Sequence, residues 1–129
     1  MAGERGGPVR DLDGVDAGRV AVCAFSGGAM LVRPRLAGSP DWLRCLALSY
    51  PMWDAVPPAE PGRPLVLTRA GREEPQRQVQ VDAFLSATAG VRVVDVPDGR
   101  HGFDVLDHTD ESRRAVLEAV DLVAGFLRG

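Results

Sequence analysis

A chain of 129 residues with 45% hydrophobic and 26% charged residues has the size and make-up of one globular domain with a single core. Its net charge of -3 gives no electrostatic reason to expect a nucleic acid or an anionic membrane as partner. All 15 Lys-or-Arg positions are Arg, which excludes a P-loop, a Schiff-base lysine and the receiver-domain lysine, since each needs an ammonium group.

Residues 1–15 are assigned to a flexible tail, Gly- and Arg-rich to Arg10, without the apolar stretch of a secretory signal. No segment approaches the ~20 apolar residues of a membrane span. A cytoplasmic location is the default expectation.

The first regular element is the apolar run Arg19–Phe25, read as a fully buried strand. It breaks at Ser26-Gly27-Gly28, and Ala29 to Val32 begin a helix that Pro34 should kink or shorten. A turn at Gly38-Ser39-Pro40-Asp41 leads to a second buried strand, Leu43 to Ser49, ending near Tyr50-Pro51. Pro51, Pro57, Pro58, Pro61 and Pro64 make a stiff loop. Leu65 to Arg69 is the third strand, closed by Ala70-Gly71. Pro75 suits the first turn of a helix carrying Val81, Phe84 and Leu85, with Gly90 as its stop. Val91 to Val96 is the fourth strand. In the last helix Thr109 is the cap, Asp110 and Glu111 favour the positive end, and Ala115, Val116, Ala119, Val120, Val123, Phe126 and Leu127 share one face. The two cysteines, Cys23 and Cys45, lie inside strand-like runs with no zinc or CxxC spacing, and are expected to be buried reduced thiols.

This alternation predicts an α/β fold, a parallel sheet of about four strands with flanking helices, in one domain over residues 16–129. Ligands of such sheets bind beyond the carboxyl ends of the strands. Ser26 follows strand one, Glu73 and Glu74 follow strand three, and His101 follows strand four. A serine becomes nucleophilic when a histidine takes its proton, and a carboxylate on the far ring nitrogen fixes the tautomer. Ala24-Phe25-Ser26-Gly27-Gly28 nearly matches the nucleophile elbow G-x-S-x-G, with Ala24 in place of the first glycine. The Gly27 N–H is then the candidate oxyanion donor. His108, among Asp107, Thr109 and Asp110, reads as a surface residue. Asp104 and Asp107 read as serving the loop and helix cap, Trp42 as packing, and Trp53 as packing or pocket lining. Two histidines without clustered ligands predict no metal and no cofactor.

From about Asp16 to its end the chain resembles the α/β-hydrolase superfamily, within it the dienelactone-hydrolase-like serine esterases. Asp98-Gly99-Arg100-His101-Gly102-Phe103 looks like the branch's catalytic-histidine loop, and Ala70-Gly71-Arg72-Glu73-Glu74 like its acid loop. The family's acid sits two residues after the glycine, which favours Glu73, with Glu74 as rival. Tyr50-Pro51 looks like the end of the intervening strand. The family's usual acid is Asp, and dienelactone hydrolases proper use a cysteine where this chain has Ser26. The resemblance implies a hydrolase of a small carboxylic ester or lactone with Ser26, His101 and Glu73 as its triad.

The superfamily sheet has eight strands, and these four resemble the last four. Strands before Arg19, and the loop giving the second oxyanion N–H, have no counterpart here. The first strand is therefore expected to be a sheet edge, open to a second copy or an N-terminal partner chain. The alternative to an active esterase is a weak or inactive hydrolase fragment that needs a partner to complete its fold. A receiver- or flavodoxin-like binding module suits the length but lacks the lysine or the phosphate loop.

Overall fold

Four apolar runs, each ended by Gly, Pro or Ser, become four parallel strands in the computed structural model, which describes residues 8–59 and 63–129. The strands are β1 (Val20–Phe25), β2 (Leu43–Ser49), β3 (Leu65–Ala70) and β4 (Arg92–Val96), adjacent in chain order. Between them run α1 (Gly28–Leu31), α2 (Arg33–Ala37) and α3 (Pro75–Ala87), and β4 is followed by α4 (Phe103–Leu106) and α5 (Asp110–Arg128). The helix expected after Ser26 is thus two short helices broken at Val32, with Pro34 in the first turn of the second. Residues 1–7 of the expected tail, and Pro61, lie outside the described residues. From Pro8 the chain makes a 3-10 turn to Asp11, and the Arg10 guanidinium sits 4.6 Å over the ring of Trp42.

Strand alternation sorts side chains into two layers. Ala24, Leu46, Leu48, Leu65 and Leu67 pack with Leu36, Trp53, Val81 and Phe84 on one face. Cys45, Ala47, Val66, Val94 and Val96 pack with Phe103 and Ala115 on the other, where α5 crosses all four strands. Burying a side chain such as Phe84 or Leu67, both fully enclosed, is worth roughly 1.5–3 kcal/mol each, so these layers hold the sheet. Trp53 belongs to this core, its ring centroid 5.0 Å from that of Phe84.

Two expectations about burial fail at the same place. β1 is not covered on both faces: Cys23 is exposed and Phe25 is 49% exposed, whereas Cys45 in the interior β2 is buried. Burial pushes the Cys45 thiol up to about 11. The apolar face of α5 is also only partly covered, with Val116 and Val120 exposed. Both have one cause. β1 is the sheet edge, and between it and α5 runs an apolar groove of about 280 Å³ bordered by Cys23, Phe25, Val116, Val120 and Leu127. Among the described residues no helix is long and apolar enough to cross a membrane.

The start of α5 is set by Thr109, whose Oγ1 accepts from the Ser112 N–H at 3.0 Å and donates to the Ser112 hydroxyl. Thr109→Ala leaves that N–H without its cap and is expected to lower stability by about 1 kcal/mol. Chemical denaturation should then show a lower midpoint with an unchanged slope.

Candidate active site

Parallel strands in one sheet end on one side, so the loops after β1, β3 and β4 meet beyond their carboxyl ends. After β1 the chain turns at Ser26, whose φ of 54° is rare for a residue with a side chain. The turn is held by the Ser26 N–H on the Ser49 carbonyl and by the Ser26 carbonyl, which accepts from Met52 and Ala29. A Cβ built on Gly28 would lie 3.8 Å from the Ala24 Cβ. That is ordinary van der Waals contact, so the two positions lie side by side beneath the turn with room for residues as small as alanine. The Gly27 N–H stands at the start of α1, where backbone donors lack an intrahelical acceptor.

After β3 and β4 the two loops are pinned to each other. A Cβ on Gly71 would come within 2.2 Å of the Pro97 carbonyl oxygen, so only glycine fits. The Gly71 N–H donates to the Val96 carbonyl at 2.8 Å, and the Arg72 N–H to the Gly99 carbonyl at 2.9 Å. Gly99 is itself against Val96, where a Cβ would fall 2.5 Å from a side-chain methyl. The acid loop and the histidine loop thus form one unit. Gln78 of α3 ties it down further, its amide donating to the carbonyls of Gly71 and Glu73.

Ser26, Glu73 and His101 are brought together. His101 Nε2 is 2.7 Å from Ser26 Oγ, and His101 Nδ1 is 2.5 Å from Glu73 Oε2. A carboxylate only accepts, so Nδ1 carries the proton and Nε2 is left to accept from the serine hydroxyl. The Glu73 side chain is 5% exposed, and its other oxygen accepts from Arg77 Nη1 and the Glu74 N–H, each at 3.1 Å. That charge is therefore satisfied on both oxygens. His101 is 27% exposed, which leaves the relay open to solvent at the base. Glu74 points away, exposed, with its carboxylate 3.7 Å from Arg77. His108 is exposed and takes no part.

Four residues at the site carry roles that the sequence did not single out. Arg77 clamps Glu73 from the first turn of α3, and Met52 Sδ lies 3.1 Å from Ser26 Oγ. Asp104, expected to serve the loop, accepts a hydrogen bond of 2.6 Å from the Tyr50 hydroxyl. Tyr50 in turn packs on the His101 ring at 4.7 Å between centroids. The i, i+4 spacing of Glu73 and Arg77 was the one legible signal among these contacts. Asp107 holds the histidine loop, paired with Arg100 at 2.9 Å. Among the described residues no group of three or more His, Cys, Asp or Glu is arranged to hold a metal ion.

Compared with known proteins, the structure is similar to that of a bacterial heroin esterase, with a TM-score of 0.67 and 17% sequence identity. The fold is part of an α/β-hydrolase. The match takes in 95% of this chain and 56% of the esterase chain, so the chain spans just over half the length of that neighbour. Neither a protein-family model nor a curated protein matches it. Within that α/β-hydrolase architecture, Ser26 occupies the strand-to-helix turn after β1, and Glu73 and His101 the loops after β3 and β4.

Gly71→Ala tests the pinning of the two loops. Relief of the Pro97 clash must part the loops that carry Glu73 and His101, at an expected cost of roughly 1–3 kcal/mol in stability. A thermal melt should register the loss, and an unchanged melting temperature would mean that the loops adjust independently.

Proposed function

We propose that the chain is the nucleophile-, base- and acid-bearing part of a serine hydrolase that cleaves a small carboxylic ester or lactone, of the dienelactone-hydrolase-like serine esterase type. The observation that carries this reading is the continuous relay from the buried Glu73 through His101 to Ser26, with bonds of 2.5 and 2.7 Å. The fold of the esterase neighbour is consistent with it. The branch rests on the loop Asp98–Phe103 and its partner at Gly71–Glu73.

In this mechanism Ser26 Oγ bonds the acyl carbon while its proton passes to His101 Nε2. The carbonyl electron pair moves onto oxygen, where the Gly27 N–H stabilises it. Collapse of the tetrahedral species breaks the acyl C–O bond, and His101 returns the proton to the departing alkoxide. Water, activated by the same histidine, repeats the sequence to release the carboxylic acid and restore Ser26. Glu73 stays ionised throughout and holds the imidazolium as it forms.

A second reading is favoured by the open side of β1. The same chain would be a weak catalyst alone and would need further polypeptide, a second copy or an N-terminal partner, to cover the edge and the groove beside α5. With a single oxyanion donor, transition-state stabilisation would fall by about 2.7–4 kcal/mol. Unpaired strand edges and exposed Phe25 favour pairing with another chain.

A fluorophosphonate probe is expected to label the folded protein, and Ser26→Ala to abolish labelling; equal labelling of both would remove the nucleophile assignment. Glu73→Gln should slow labelling roughly 10²-fold or more, since the wrong tautomer is then favoured, while Glu74→Gln leaves it unchanged. For the second reading, sedimentation across micromolar concentrations should show association beyond the monomer. A sharply unfolding monomer at every concentration would mean that the four strands close their own core.

A further inference from the structure

Two in-plane hydrogen bonds do not fix an imidazole. With Nδ1 on Glu73 and Nε2 on Ser26, the His101 ring can still rock about the line joining its two partners. A further packing contact is needed to hold it. Tyr50 is the ring packed against it, in a T-shaped contact with its centroid 4.7 Å from that of His101 and 64° between the planes.

Tyr50 is itself held on every side. It is 6% exposed, with the Phe103 and Phe25 rings at 5.9 and 6.1 Å and its hydroxyl donating to Asp104 Oδ1 at 2.6 Å. Burial, then the hydrogen bond to Asp104 and its charge, raise the phenol well above its ordinary range, so it remains a neutral donor. Its backbone is strained, with φ at 37°, a region that tyrosine rarely adopts. That conformation ends β2 so that the Tyr50 N–H bonds the Thr68 carbonyl, and two residues later the Met52 N–H reaches the Ser26 carbonyl. One bend therefore aims an aromatic ring at the base and braces the nucleophile turn.

We propose that Tyr50, anchored by Asp104, is a positioning residue that holds the His101 imidazole in line between Glu73 and Ser26. The inference rests on the triad reading above. Its importance is greatest after the serine oxygen has bonded the acyl carbon. The restraint at Nε2 is then lost, and the imidazolium must stay aimed at the leaving oxygen. Misplacement of a reacting group by about 1 Å costs ~10²-fold in rate.

The test uses the full chain, with p-nitrophenyl acetate as substrate and the histidine ring read by long-range proton–nitrogen NMR. Tyr50→Phe keeps the ring and its volume but drops the Asp104 tether, and should lower kcat about tenfold with KM little changed. Asp104→Ala should do the same, and the double variant should be no slower than either single one, because both act through one bond. Tyr50→Leu should lower kcat ~10²-fold. Its His101 ring signals should lose the single Nδ1–H tautomer pattern of the wild type. Additive losses in the double variant, or an unchanged ring pattern in Tyr50→Leu, would overturn the proposal. If Tyr50→Leu fails to fold, the same ring signals in Tyr50→Phe decide, as that change preserves packing. The NMR pattern is read whether or not Ser26 reacts. Failure of the triad reading, seen as no labelling of the wild type by fluorophosphonate, is thus distinct from failure of this one.

Discussion

The backbone of Gly71 lies directly against that of Pro97, and the geometry of the site follows from that contact. β3 and β4 are neighbours in register from Val66–Arg92 to Ala70–Val96, so their ends arrive together. With no side chain at position 71, the two loops close to a single backbone thickness and exchange hydrogen bonds at Val96 and Gly99. Glu73 then stands within one hydrogen bond of His101 without any reach from a long flexible loop. The extra methylene of Glu relative to Asp is absorbed because the carboxylate is also drawn toward Arg77.

That arrangement sets two costs against each other. A buried carboxylate without partners would be strongly unfavourable, yet Glu73 has a guanidinium, a backbone N–H and an imidazole on its two oxygens. Removing any one of them leaves part of a buried charge unmatched. Strain is concentrated elsewhere, at Ser26 and Tyr50, the two non-glycine residues with positive φ among those described. Each sits just past the carboxyl end of a strand, and each turns the chain so that a side chain faces His101. The rigid sheet beneath them, with Leu46, Leu48 and Leu67 in one layer, is what keeps those conformations populated.

The sheet and the relay were largely legible in the sequence because both are local signals. Apolar runs ended by Gly, Pro or Ser marked the strands to within a residue or so, and Thr109 marked the start of α5. Ser26, Glu73 and His101 each follow a strand, and the parallel topology does the rest. What escaped depends on contacts between distant segments. Asp104 looked like a loop residue because its partner, Tyr50, is 54 positions away. The break at Val32 was announced by Pro34, but not that a second short helix would follow. Cys23 was expected to be buried from its apolar run alone, although the resemblance implied that the same strand is a sheet edge, and the edge leaves Cys23 exposed. Edge status comes from what does or does not pair with it, and that lies outside the run itself.

The placement of the relay also separates two properties that are usually lost together. Glu73 and His101 follow β3 and β4 and are held by their pinned loops and α3, whereas Ser26 follows β1, the open edge strand. The groove beside α5 borders β1 at Cys23 and Phe25, next to Ser26 in the chain, yet its border includes none of the three. The hydrogen bonds among the three side chains therefore draw on contacts that the chain already makes, whereas the surface beside β1 is left open. Nucleophilicity depends on proton transfer to His101, which needs only the bonds described above. Rate enhancement on an ester further needs oriented donors and exclusion of water around the developing charge. On the proposed mechanism, covering polypeptide at β1 would act on the second requirement, while the first rests on the pinned loops at Gly71 and Gly99 and on the Ser26 turn already held by Ser49 and Met52.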